Sequence, residues 1–170
     1  LSVTDIETLI RDPYAIYAKR VLGLRALDPI DSDPGAADRG SIIHNAIDKS
    51  LGKVAGDLPP DALAQLLETG AEEFAPWIDR PGIRAFWWPR FERIADWIVE
   101  RERERTPEVA ARYTEIDAEL ILAGRNRPFS LRARADRIDR LHGGGYEIID
   151  YKPGAVPTKK DVNAGLSPQL

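Results

Sequence analysis

Leu131-Arg132-Ala133-Arg134-Ala135-Asp136-Arg137-Ile138-Asp139-Arg140-Leu141, then His142-Gly143-Gly144-Gly145, then Tyr146-Glu147-Ile148-Ile149-Asp150-Tyr151-Lys152 is the stretch that decides the fold. It reads as two β-strands joined by a glycine turn. The second strand is rich in β-branched and aromatic residues and is halted by Pro153-Gly154, which cannot extend a ladder. Residues alternate faces along a strand, so Asp150 and Lys152 share one. Glycine supplies the positive φ angles of a tight hairpin turn. If the hairpin closes there, Asp136 falls opposite Asp150 to within about one residue, at a cross-strand spacing of roughly 5 Å.

Two apposed carboxylates repel unless a proton or cation lies between them. A hard divalent metal resolves this most economically. Mg²⁺ takes one or two carboxylates, keeps several waters and binds substrate phosphates at its open positions. Lys152 would then orient or help deprotonate the attacking water and offset phosphate charge. An Asp-x-Lys triplet alone is common by chance. A strand that is apolar through Ile148-Ile149 and ends in Asp-Tyr-Lys-Pro-Gly, with an upstream Asp136, is a narrower pattern.

These residues resemble the RecB-like branch of the PD-(D/E)XK nucleases. The resemblance is carried by Asp136 within Ala-Asp-Arg-Ile-Asp and by Asp150-Tyr151-Lys152 within Ile-Ile-Asp-Tyr-Lys-Pro-Gly. Upstream, Arg39-Gly40-Ser41-Ile42-Ile43-His44 is similar to the family's Arg-Gly-x-x-x-His segment. Gln169 sits where the family often has a glutamine opening a helix beside the active site. Residues 2–24 are similar to the first nuclease segment of AddB subunits of AddAB helicase-nucleases. The resemblance implies a metal site of His44, Asp136, Asp150 and the backbone carbonyl of Tyr151, holding Mg²⁺ or Mn²⁺. Asp136, Asp150, Lys152 and Gln169 would be the catalytic set. It further implies DNA as substrate, an AddA-type motor subunit as partner, and resection of double-strand breaks. Many such nucleases carry an iron–sulfur cysteine before the proline of Pro13-Tyr14. Here that position is Asp12, so no cluster is expected.

With 170 residues, 43% of them hydrophobic, the chain is expected to form a single nuclease domain with one core. Residues 1–110 read as mainly helical, and 111–170 as the catalytic sheet and the start of a following helix. The chain lacks methionine even at its first position and stops as a helix begins, so it is expected to be a fragment of a longer polypeptide, truncated at its C-terminus. No apolar run approaches membrane-spanning length and no signal peptide is visible, so a cytoplasmic protein is expected. Cysteine is absent, which excludes disulfides and thiolate metal ligands. A net charge of −4 gives no attractive overall field for nucleic acid, yet a metal-collecting site itself needs acidic residues, which Mg²⁺ can screen, so the sign decides neither way. Arg125, Arg127, Arg132, Arg134, Arg137 and Arg140 nevertheless cluster around the first hairpin strand, where they either contact phosphates or form a solvated face.

In chain order, Ser2 or Thr4 caps a helix through about Tyr17. Asp38 caps a helix from Arg39 to Leu51, with Ile43, Ala46, Ile47 and Ser50 facing the core and His44 beside them. A helix then runs from about Asp61 to Phe74. Another runs from Arg84 to Arg105, kinked or restarted by Pro89, with Phe91, Ile94, Ala95 and Ile98 apolar. Trp87, Trp88 and Trp97 read as core, and Arg101 to Arg105 as a solvated helix end. From Tyr113 the period becomes two, giving a first sheet strand. Glu119 on it could join the site, although a solvent-facing acid is the plainer reading. Asp161 to Leu170 would begin a helix.

The expected fold is α+β, with N-terminal helices and a three-stranded sheet, and the expected activity is metal-dependent DNA hydrolysis. Two other readings stay open. One is a stand-alone or CRISPR-associated RecB-like exonuclease. The other is a nuclease-fold module that binds DNA or scaffolds a partner without cutting. Asp136, Asp150 and Lys152 together count against the latter, since a scaffold has no physical need to hold two carboxylates close.

Overall fold

The computed structural model describes residues 1–27, 34–52, 54, 56–124, 127–152 and 157–164. The fold is α+β, with helices α1 (Val3–Arg11), α2 (Pro13–Arg20), α3 (Ala36–Leu51), α4 (Ala62–Phe74) and α5 (Trp88–Arg105) preceding the sheet. Strands β1 (Val109–Leu122), β2 (Phe129–Leu141) and β3 (Tyr146–Ile149) follow, then a short α6 (Lys159–Asn163). β2 is the central strand of the three. It pairs antiparallel with β3 in the register Arg137–Ile149, Ile138–Ile148, Asp139–Glu147 and Arg140–Tyr146. The hairpin closes through Gly144 and Gly145, at φ +86° and +88°, with Leu141 N–H donating to Gly145 O at 3.1 Å.

The chain divides into two compact units. One takes in residues 34–116 and 135–154. Its core joins Ile43, Ala46, Ile47 and Leu51 of α3 to Leu66 and Phe74 of α4 and to Phe91, Ala95, Ile98 and Val99 of α5. These positions recur at helical spacing, so each helix buries one stripe. Phe74, Trp88 and Phe91 form an aromatic cluster with centroids 5.5 to 5.7 Å apart. α5 does restart at Pro89, in its first turn, after a π-helical turn at Ile83–Trp87. Proline needs no N–H donor there. Trp87 and Trp88 pack partly on the core, as expected. Trp97 does not: it is 59% exposed, with the Arg101 guanidinium 6.0 Å from its ring centre.

The helix end at Arg101–Arg105 also departs from expectation, because Glu102 is buried. Its carboxylate accepts from Arg137 Nη1 at 2.6 Å and from Arg112 Nη2 at 2.6 Å. Arg137, read as a candidate phosphate contact, is buried too, and it chelates the fully buried Asp139 with Nε and Nη2. Arg105 closes the network, donating to Asp139 at 3.0 Å and to Glu147 at 2.8 Å. Burial pushes the Arg112 guanidinium below its ordinary pKa. For Arg137, burial acts the same way but is outweighed by the hydrogen bonds to Asp139 and Glu102, and its pKa is raised. Alternation along a strand marks which residues share a face but not whether a charged face is wet, so the sequence concealed this network.

The other unit takes in residues 1–33, 117–134 and 155–170. The expected single helix to Tyr17 is two helices. Ser2 caps α1, accepting from Asp5 N–H at 3.0 Å, and α1 stops at Asp12. Asp12 then caps α2, accepting from Ala15 N–H at 3.2 Å, with Pro13 in the first turn. The buried Asp5 carboxylate is ion-paired with Lys19 and Arg20. Burial would raise its pKa, but the Ser2 N–H and both cations outweigh that and hold it well below the carboxylate range. Thr158 caps α6, which starts two residues before the expected Asp161. Gln169 lies outside the described residues, as does Arg125.

α4 and α5 approach closely at Gly70. A Cβ placed on Gly70 would fall 2.0 Å from Cε1 of the fully buried Phe91, so the ring or a helix would have to shift. Alanine is otherwise the better helix former by about 1 kcal/mol. Gly70→Ala should therefore destabilise by roughly 1–3 kcal/mol through overpacking and lower the thermal midpoint by roughly 2–12 °C. A raised midpoint would contradict this packing.

Candidate metal centre and active site

The core-facing stripe of α3 fixes that helix's rotation and leaves His44 at its flank, with a side chain 24% exposed. His44 Nε2 lies 3.2 Å from Asp136 Oδ2 on β2 and 3.8 Å from Glu115 Oε1 on β1. The three ligand atoms fall within 4.8 Å of one another.

Glu115 reaches this point through a backbone irregularity. Regular strand residues alternate faces, yet consecutive residues of β1 both meet α3. Thr114 Cγ2 stands 3.1 Å from where a Cβ on Gly52, the α3 C-cap, would lie, and Glu115 faces His44. Glu115 has φ +55°, the one positive φ outside glycine among the described residues. Such a kink re-aims a side chain out of alternation, at a cost of order 1–2 kcal/mol. Period-two alternation from Tyr113 gives Glu115 no role of its own. Nothing in the local pattern marks a glutamate for left-handed backbone. Glu119, the acid considered instead, accepts from the Ser130 hydroxyl and pairs with Arg132 at 3.1 Å. Those hydrogen bonds hold its carboxyl below the usual range.

β3 ends at Ile149, three residues before the expected Lys152. The β2–β3 ladder closes at Arg137–Ile149, and one further step in that register brings Asp136 to Asp150. Tyr151 interrupts the ladder because its N–H donates to the Asp136 carboxylate, at 2.9 Å from Oδ2, instead of to a strand carbonyl. Its phenol accepts from Arg137 Nη1 at 3.1 Å, and burial raises its pKa. Lys152 Nζ pairs with Asp150 Oδ2 at 2.5 Å, so the two share a side of the chain.

The donor set fits a divalent cation. His44 Nε2 is buried and makes no hydrogen bond, yet it is aimed at two carboxylates. An imidazole nitrogen and two carboxylate oxygens converging at these distances offer ligands suited to Mg²⁺, Mn²⁺ or Zn²⁺. The structure brings His44 and Asp136 together as the sequence motifs suggested and adds Glu115. Asp150 is engaged with Lys152 and stands outside that triad.

No helix among the described residues is long and apolar enough to cross a membrane. A family model for the PD-(D/E)XK nuclease superfamily matches residues 1–170. The chain is 35% identical over 170 residues to an uncharacterized protein of Rickettsia bellii, a match covering 100% of this chain and 20% of that protein. It is likewise 35% identical over 175 residues to an uncharacterized protein of Rickettsia typhi, covering 100% of this chain and 20% of the relative. The chain thus spans about a fifth of the length of these relatives. It belongs to the PD-(D/E)XK nuclease superfamily.

Calorimetric titration with Mn²⁺ should give saturable binding that weakens by roughly tenfold or more in His44→Ala, Asp136→Asn and Glu115→Gln. Glu115→Gly should lose the same affinity yet melt no lower than Glu115→Gln, since glycine takes φ +55° without strain. Unchanged affinity in all of the variants would remove this site.

Proposed function

We propose that this member of the PD-(D/E)XK nuclease superfamily hydrolyses DNA phosphodiester bonds with a divalent cation held by His44, Glu115 and Asp136, completed by Asp150 and the backbone carbonyl of Tyr151. The observation that supports it most is the unbonded His44 Nε2 facing Asp136 and Glu115, with the Asp150–Lys152 pair one residue from the amide that holds Asp136. Mg²⁺ or Mn²⁺ bound there would polarise the phosphate and stabilise the charge that develops on it.

The chain's own residues do the rest. Asp136 keeps a fixed orientation because Tyr151 N–H holds one of its oxygens. Lys152, partly exposed beside Asp150, orients the attacking water and offsets negative charge on the phosphate. The water oxygen bonds to phosphorus, the bridging ester bond breaks, and the water proton is released to solvent or to the leaving oxygen.

The finer reading makes this the nuclease module of a larger helicase-nuclease that resects double-strand breaks with an AddA-type motor subunit. It rests on the ordered Arg-Gly-x-x-x-His, Asp and Asp-x-Lys motifs, and on relatives about five times as long, which leaves room for other domains.

Lys152→Ala should reduce cleavage of linear DNA by roughly 10²–10³-fold without weakening Mn²⁺ binding, because a lysine ammonium cannot ligate the cation and its loss removes a competing charge from Asp150. Wild-type cleavage in this variant would contradict the assignment. Parallel loss of Mn²⁺ binding would make Lys152 structural.

A further inference from the structure

Tyr151, the middle residue of Asp-Tyr-Lys, makes contacts in three directions. Its N–H holds Asp136 Oδ2 at 2.9 Å. Its ring meets the His44 imidazole edge-on, with centroids 6.1 Å apart and planes at 73°. Its hydroxyl accepts from Arg137 Nη1 at 3.1 Å, and the same Nη1 donates to Glu102 at 2.6 Å. The ring also packs against the core formed by α3, α4 and α5. β3 has ended two residues earlier, so this segment lies beyond the strand ladder.

We propose that the Tyr151 side chain is a positioning residue: its phenol, anchored in the buried Arg137–Glu102–Asp139 network, holds the backbone N–H against Asp136 and the ring against His44, and so sets the spacing of two cation ligands. The cation part of this rests on the proposed function. The physical reason lies in entropy. A segment outside the ladder stays ordered only if side-chain contacts offset the roughly 1–2 kcal/mol per residue that ordering costs. Here the contacts of one side chain are joined to a network that is itself fully buried.

The test compares Tyr151→Phe and Tyr151→Leu in the whole chain, by amide hydrogen exchange without metal and by Mn²⁺ titration. Phenylalanine keeps the amide, the carbonyl and the ring edge toward His44 and loses only the anchor. Leucine loses the anchor and the ring. The expected result is at least tenfold faster exchange of the residue 151 amide in Tyr151→Leu and a smaller increase in Tyr151→Phe, with core amides such as those of Ile43 and Phe91 unchanged. Mn²⁺ affinity should fall in the same order, about threefold for phenylalanine and tenfold or more for leucine. Wild-type protection at residue 151 in both variants would overturn the proposal, as would protection lost uniformly across the core. If the wild-type chain binds no Mn²⁺, the metal reading fails, and exchange at residue 151 alone decides whether this side chain holds Asp136.

Discussion

The buried ionic network of Glu102, Arg112, Arg137 and Asp139 is the constraint on which the rest of this unit depends. It joins α5, β1 and β2, and through Arg105 it reaches Glu147 on β3. Two guanidinium groups and two carboxylates balance in charge. Arg112 also donates to Leu51 O at the end of α3 at 2.8 Å, while its buried Nε stands 3.8 Å from Asp139 Oδ1 without a hydrogen bond. Such a network is poor evidence of net stability, because desolvating its members costs several kcal/mol each. It does fix register. A slip of β2 by one residue would move Arg137 and Asp139 away from Glu102 and leave uncompensated charge in the core. The same register delivers Asp136 to His44 and brings Asp150 alongside, so the network that organises the sheet also sets the candidate site.

A division of labour follows along β2. Arg137 and Asp139 go into the network, while Asp136 between β-strand neighbours reaches α3 and His44. On β1 the same pair of demands is met differently. Arg112 serves the network and Glu115 serves the site, and the left-handed kink at Glu115 lets one strand do both. Local strain of this sort persists where surrounding structure over-determines it, and it collects at functional positions.

Much of this was legible in the sequence, for identifiable reasons. The hairpin was readable because its glycines, its β-branched strand and its Pro-Gly stop are all local signals. His44 and Asp136 followed from motifs whose order is more specific than any one of them. The helix stripes of α3 and α5 followed from periodicity. What stayed hidden depends on contacts between distant residues. Glu102 sits in a charge-alternating run that looks solvated, and only its packing against β1 and β2 buries it. The break at Asp12 was missed because the apolar pattern runs on through it, although Asp-Pro is itself a cap followed by a first-turn proline. β3 was read too long because Asp150-Tyr151-Lys152 has strand-like composition, whereas the Tyr151 amide is spent on Asp136.

The proposed cation site of His44, Glu115 and Asp136 is open to direct observation. Anomalous diffraction from crystals of this chain soaked in Mn²⁺ tests it most directly. One strong peak is expected, with His44 Nε2 and carboxylate oxygens of Glu115 and Asp136 at about 2.0–2.2 Å, near the short distances typical of small divalent ions. A peak elsewhere, or none here with all three side chains well ordered, would contradict it.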